Sequence, residues 1–230
     1  MKVVILCGGR GTRLNGEHPK PLVEVGGRPI VEHVIAIYAA QGFGDFMLLT
    51  GHGGDAVAAW AAGDPRVECV DTGVDTPTGG RVHAVRDRLR EPFCLTYADG
   101  VADIDLAGLR EAHERGGALA TMTVVRPDLP FGVAVVEDGR VVGFHEKPRA
   151  EQWVNGGFFV MEPAALAYLG PDAVLEREPL ERLAADGLLG AYRHTGFWRC
   201  LDTAKDAAAL EEAWAGGAPW LRRRTSTAAG

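Results

Sequence analysis

The chain has 230 residues, 47% hydrophobic and 24% charged, a composition that excludes a disordered or fibrous protein. That length is about one and a half typical domains and can bury a core without covalent staples. A net charge of −7 argues against a general binder of nucleic acid or of an anionic membrane, so any anionic substrate must meet a local cluster of positive groups.

Cys7, Cys69, Cys94 and Cys200 are scattered with no Cys-x-x-Cys spacing, which reads as buried free thiols rather than a disulfide framework or zinc site. The first apolar run, residues 3–7, is too short for a signal core, and no stretch nears the roughly 18–20 apolar residues of a membrane span. The expected location is the cytoplasm. Glycine is abundant at 31 residues, near twice the usual share, and its placement matters more than its number.

In chain order, short β-branched runs alternate with amphipathic stretches, the pattern of an α/β sheet. Residues 2–6 read as a continuous apolar strand. Pro29 opens a helix with Ile30, Val34, Ile37 and Tyr38 on one face, stopped by Gly42. Strands follow at 45–50, 66–70 and 92–97, with helices at 55–62, 81–89 and 105–115. Residues 118–126 read as strand. The segments 132–136 and 140–145, joined by Asp138-Gly139, then give a strong hairpin signal. A strand at 156–161, a helix at 176–186, a short strand at 188–192 and a helix at 203–214 complete the pattern. The fold class is α/β: a Rossmann-like, mixed, mostly parallel sheet flanked by helices, with a smaller hairpin-containing lobe on the same sheet. Residues 1–220 read as one domain, with a nucleotide-binding half near 1–126 and a second-substrate half near 127–220, and 221–230 as a flexible tail.

Several loops have residue types suited to chemistry. Gly8-Gly9-Arg10-Gly11-Thr12-Arg13-Leu14 follows the first strand, where glycines let backbone N–H groups converge on phosphate oxygens and Arg13 offers a fork for pyrophosphate. It is neither a Walker A loop nor G-x-G-x-x-G, and no acid stands at a strand end about 20 residues on, as a dinucleotide fold expects; Glu24 reads as loop instead. Lys20-Pro21 ends the long loop, and Lys20 is one of only four lysines. Asp99-Gly100 closes a strand at its carboxyl end, where an acid can reach a Mg²⁺ shared with phosphates. Thr78-Gly79-Gly80-Arg81 lets backbone lie against a flat ring; Glu146-Lys147-Pro148 and Asn155-Gly156-Gly157 offer a cation and sugar-hydroxyl partners; Asp202 precedes the last helix as a candidate N-cap. Each also has a plainer reading, as a flexible loop, a turn, a surface ion pair, a bulge or a cap.

In this order, the segments resemble the sugar-1-phosphate nucleotidylyltransferase superfamily. With residues 70–73, 78–81, 96–105 and 196–198 together with Asp202, they are similar to the glucose-1-phosphate cytidylyltransferases, over nearly the whole chain. The resemblance implies a Mg²⁺-dependent enzyme that condenses CTP with a sugar 1-phosphate to CDP-sugar and pyrophosphate. It implies that Leu6, Gly8, Gly9, Gly11 and Thr12 line the triphosphate, with Arg13 on the departing pyrophosphate and Lys20 on the α-phosphate. It further implies that Thr78, Gly79 and Gly80 face the base and that Asp99 and Asp202 hold the metal. The same resemblance implies that Lys147 positions the sugar phosphate, with Gly100, Glu146, Asn155 and Gly156 around the sugar. UTP, dTTP or GTP in place of CTP, or a non-catalytic nucleotide-sensing subunit, are the alternatives; the sugar and the oligomeric state, a homo-oligomer included, stay open. The chain lacks the insertion those relatives carry near residues 54–66, and Cys7 and Ala98 replace their usual small residues.

Overall fold

The computed structural model describes residues 1–9 and 19–221. Strand β1 (Val3–Leu6) lies at the centre of the molecule and is buried throughout. A short 3-10 turn, Lys20–Leu22, and the two-residue strands β2 (Glu24–Val25) and β3 (Arg28–Pro29) lead into helix α1 (Ile30–Ala39). Next come β4 (Phe46–Thr50), α2 (Gly54–Ala61), β5 (Val67–Asp71), α3 (Thr78–Ala84), β6 (Phe93–Tyr97), β7 (Gly100–Ala102) and α4 (Leu106–Gly116). The remainder is β8 (Ala120–Val125), β9 (Val133–Glu137), β10 (Arg140–His145), β11 (Val154–Met161), α5 (Glu178–Ala185), β12 (Leu189–Arg193), β13 (Trp198–Cys200) and α6 (Ala204–Ala215).

Seven strands form one sheet in the order β12-β8-β11-β6-β1-β4-β5. All pairs are parallel except those of β11, which runs against both β6 and β8, so the mixed, mostly parallel architecture read from the sequence is the one observed. Alternation along each strand divides the core between two faces. Val3, Ile5, Phe46 and Leu48 pack with α1, α4 and α6, while Val4, Leu6, Met47 and Leu49 pack with α3 and α5. Among the described residues, no helix is long and apolar enough to cross a membrane.

Four local differences from the sequence reading bear on the site. The hairpin β9–β10 does close through Asp138 (φ +46) and Gly139 (φ +75), as a two-residue turn with both central residues left-handed requires. It stands off as its own two-stranded sheet, because β8 and β11 pair directly with each other and leave it no edge between them. Helix α3 begins at Thr78, three residues earlier than its apolar spacing indicates. Gly79 and Gly80, which look like a loop in sequence, lie in its first turn because segment 171–173 presses on them: a Cβ on Gly80 would sit 2.1 Å from the Pro171 carbonyl oxygen. A ladder of three residues per strand, β7 against β13, has no periodicity to reveal it.

The cap of α6 is Thr203 rather than Asp202. The Thr203 hydroxyl accepts from the Asp206 N–H while the Asp206 carboxylate accepts from the Thr203 N–H, a reciprocal capping pair that leaves the Asp202 carboxylate available elsewhere. Leu221 closes a 3-10 turn, Pro219–Leu221, and residues 222–230 of the expected tail lie outside the described residues.

Candidate active site

The carboxyl ends of β1 and β6, side by side in the sheet, open into a cavity of about 320 Å³. A parallel sheet turns strand ends and the loops that follow them toward this edge, the usual ligand position in open α/β folds. Leu6 and Gly9 line it from β1, Tyr97 and Asp99 from β6, and Thr78 from the start of α3. Lys20 and Asp202 complete the lining from two segments 182 residues apart.

Lys20 is the hub. Its ammonium donates to Asp99 Oδ2 at 2.5 Å and to Asp202 Oδ1 at 2.7 Å. Burial alone lowers the Lys20 pKa, but the Asp99 charge and the hydrogen bonds to both carboxylates outweigh it, and the net shift is upward. The lysine therefore stays charged at neutral pH. The backbone joins the two acids: the Leu201 N–H donates to the Asp99 carbonyl at 2.8 Å, and β7–β13 pairing sets Gly100 opposite Cys200. The Cys200 thiol and both carboxylates lie within 4.8 Å of one another, and burial, followed by the charges of Asp99 and Asp202, raises the thiol pKa and keeps it protonated.

These residues fit a hard divalent cation. Two carboxylates already converge on one positive centre, the Lys20 ammonium, which stands in for a cation between them. Counted formally, two acids and one lysine leave an excess negative charge, and oxygen donors are what Mg²⁺ selects.

Arg81 is a residue the sequence reading left without a role. Its guanidinium is buried and donates to the carbonyls of Thr50 (2.7 Å), Gly73 (2.8 Å), Gly8 (3.0 Å) and Val74 (3.3 Å), and to the Thr72 hydroxyl (2.7 Å). It thus ties the glycine loop after β1 to the ends of β4 and β5. Gly8 has no room for a side chain, since a Cβ would lie 2.0 Å from Arg81 Cζ. Burial lowers the guanidinium pKa and the charge of Asp71 works against that shift.

On the other side of the cleft, β11 carries a register shift between Asn155 and Phe159, with Gly157 (φ +73) and Phe158 (φ +51) both left-handed. The bulge turns Asn155 toward the cleft, where its Nδ2 donates to the Tyr97 hydroxyl at 3.2 Å and its Oδ1 accepts from the Gly157 N–H at 2.9 Å. Gly156 sits behind it, its carbonyl accepting from Trp198 Nε1. Tyr97 also donates to Glu176 Oε1 at 2.7 Å; burial, then the Glu176 charge, push its phenol pKa upward.

The expected residues thus fall into groups. Leu6, Gly9, Lys20, Thr78, Asp99 and Asp202 share one cavity, and Asn155 joins them through Tyr97. Gly8, Gly79, Gly80 and Gly156 support the lining from behind, and Gly100 is buried in β7. Glu146 and Lys147 sit at the base of the hairpin, exposed and 3.6 Å from each other, outside the cavity lining. Lys147 holds a left-handed backbone, φ +45, a strained setting for a side chain with a Cβ. Gly11, Thr12 and Arg13 lie outside the described residues. Tyr97 and Arg81 stand beside residues the sequence singles out, Asp99 and Gly79-Gly80, but nothing local shows roles of their own, and the neighbourhood of Glu176 carries no signal at all.

An open, mostly parallel sheet with an acid–lysine–acid cluster at its carboxyl edge defines an α/β protein with charged side chains at the usual ligand position. Residues 3–140 match the family model described as the MobA-like NTP transferase domain. Glucose-1-phosphate cytidylyltransferase from Salmonella typhi is 38% identical over 253 residues, covering 96% of this chain and 98% of that protein. Among solved structures, HddC from Yersinia pseudotuberculosis complexed with GMP-PN aligns with a TM-score of 0.74 at 21% identity, over 93% of this chain and 99% of that one. The inositol-1-phosphate CTP transferase from T. maritima aligns at 0.67 and 17%, over 94% and 96%. The chain belongs to the family of MobA-like NTP transferases.

Proposed function

We propose that this protein is a cytidylyltransferase that condenses CTP with a sugar 1-phosphate, glucose 1-phosphate or a related sugar, releasing pyrophosphate and CDP-sugar. The observation that carries the reading is Lys20 held between Asp99 and Asp202 in the cleft where β1 and β6 end. The near full-length similarity to a glucose-1-phosphate cytidylyltransferase supports the base and the sugar class.

The chemistry follows from charge. A sugar phosphate is already anionic at pH 7, so its oxygen attacks the α-phosphate without a general base, and no histidine lines the described cavity. The obstacle is repulsion between two anions, so positioning and fixed positive charge supply the rate enhancement. Lys20 meets the α-phosphate as charge develops there, and its raised pKa keeps it cationic. Gly8, Gly9, Gly11 and Thr12 cradle the triphosphate through the loop that Arg81 anchors, and Arg13 takes the departing pyrophosphate. Thr78 with Gly79 and Gly80 sits at the base end. Asp99 and Asp202 would hold Mg²⁺, which when bound supplies further charge neutralisation on the phosphates. The nucleotide falls to residues 1–126 and the sugar phosphate to 127–220, where Asn155, Gly156 and Glu146 surround the sugar and Lys147 reaches its phosphate from the hairpin, with Gly100 adding its backbone from β7. Four free cysteines agree with a cytoplasmic setting.

The test is pyrophosphate release with CTP, UTP, dTTP and GTP against a panel of sugar 1-phosphates, with and without Mg²⁺. Turnover with CTP, only when Mg²⁺ is present, is the expected result. Turnover with another nucleotide alone corrects the base, and none with any pair overturns the enzyme reading in favour of a nucleotide-sensing protein.

A further inference from the structure

One carboxylate on the rim of the cleft has no part in the chemistry above. Glu176, just before α5, is exposed, yet both its oxygens are engaged. Oε1 accepts from the Tyr97 hydroxyl and Oε2 from the Thr78 hydroxyl, each at 2.7 Å, so one side chain joins the nucleotide end of the cleft to its floor. Each hydroxyl has a single proton, and a carboxylate only accepts, so both protons point at Glu176. Their lone pairs must then do the remaining work: Thr78 Oγ1 accepts from the Leu175 N–H at 2.9 Å, and the Tyr97 oxygen accepts from Asn155 Nδ2. The Asn155 amide is thereby fixed from both sides, with its Oδ1 on the Gly157 N–H and its Nδ2 on Tyr97. What it has left to offer a ligand is one N–H and one lone pair in set directions.

We infer that Glu176 is a positioning residue that, through Tyr97, fixes the atoms Asn155 presents to the sugar and so sets selectivity among hexose 1-phosphates. This rests on the proposed reaction at the same site. A carboxamide at position 176 matches the carboxylate in shape but accepts through one atom only, so one of the two hydroxyls confronts an NH₂. Where that hydroxyl is Tyr97, its proton turns toward Asn155 and the amide loses its fixed orientation. Tyr97→Phe removes the same link from the other end, with no change in ring packing.

The experiment compares wild type, Glu176→Gln, Tyr97→Phe and the double variant in steady-state pyrophosphate release, with glucose 1-phosphate and its hexose epimers as probes. In each single variant KM for glucose 1-phosphate rises roughly 3- to 10-fold, the scale of one hydrogen bond; KM for CTP stays within about twofold in Tyr97→Phe, whereas Glu176→Gln also disturbs the bond to Thr78 at the base end and is not held to that limit. Discrimination between the epimers falls by a similar factor, and the double variant is no worse than the worse single one. Thermal unfolding monitors the fold, and if Glu176→Gln does not fold, Tyr97→Phe alone decides. Unchanged epimer discrimination, equal rises in both KM values of Tyr97→Phe, or additive losses of discrimination in the double variant overturn the inference while leaving the reaction standing. A wild type that turns over no pair overturns both.

Discussion

Lys20→Ala is expected to lower kcat by about 10²–10³ while the protein still folds. The ammonium is the only lysine or arginine group among the described residues that lines the cavity, so nothing nearby takes its place opposite a developing negative charge. The turn that carries it does not depend on the side chain: the Leu22 N–H donates to the Pro19 carbonyl, and buried Pro21 anchors the segment. Removing the cation sets Asp99 against Asp202, but the two side chains are 22% and 46% exposed, so water can solvate both. Stability follows the sign of the pKa shift. A lysine whose folded pKa is raised stabilises the fold at every pH below its unfolded value near ~10.4, and loses that contribution as pH rises through the folded value. The difference in Tm between wild type and Lys20→Ala should therefore be level through neutral pH and close only at strongly alkaline pH. Near-normal turnover of Lys20→Ala would remove this residue from the chemistry.

Asp99→Asn and Asp202→Asn should each lower kcat by at least about 10² and weaken divalent-ion binding, the readout being titration of Mn²⁺ in the presence of CTP. Asp99 is the less exposed of the two and sits directly at the end of a central strand, held by the Leu201 N–H on its own carbonyl. Asp202 lies on the stretch between β13 and the Thr203 cap. Asp99→Asn should therefore show the larger loss. Mn²⁺ affinity unchanged in both variants would place the metal elsewhere.

What the sequence discloses here follows from the range of each signal. The alternation that buries Val3 and Ile5 on one face and Val4 and Leu6 on the other extends over a whole strand, and the Asp138-Gly139 turn is written in two adjacent residues; both are local and both were legible. The ladder between β7 and β13 was not, because three residues are too few for a period and their partners are about a hundred positions away. Yet that ladder is what sets Asp202 beside Asp99. The start of α3 was hidden for a related reason: Gly79 and Gly80 look like loop residues until segment 171–173 is packed against them. Asp202 was recognised as significant but with a cap as its local alternative, and only the tertiary structure shows Thr203 capping and Asp202 turned to Lys20. Glu176 acts through Tyr97 and Thr78, about 80 to 100 positions away, and Arg81 joins nearby residues 72–74 to Thr50 and Gly8 far off in sequence, so no spacing rule reaches either.

The most direct test is a crystal structure with a non-hydrolysable CTP analogue, Mg²⁺ and a sugar 1-phosphate. The expected result is the triphosphate along the loop after β1, Lys20 turned from the carboxylates to the α-phosphate, and a metal ion on Asp99 and Asp202. A nucleotide seated away from this cleft, or Lys20 still locked between both acids with the ligands bound, would contradict it.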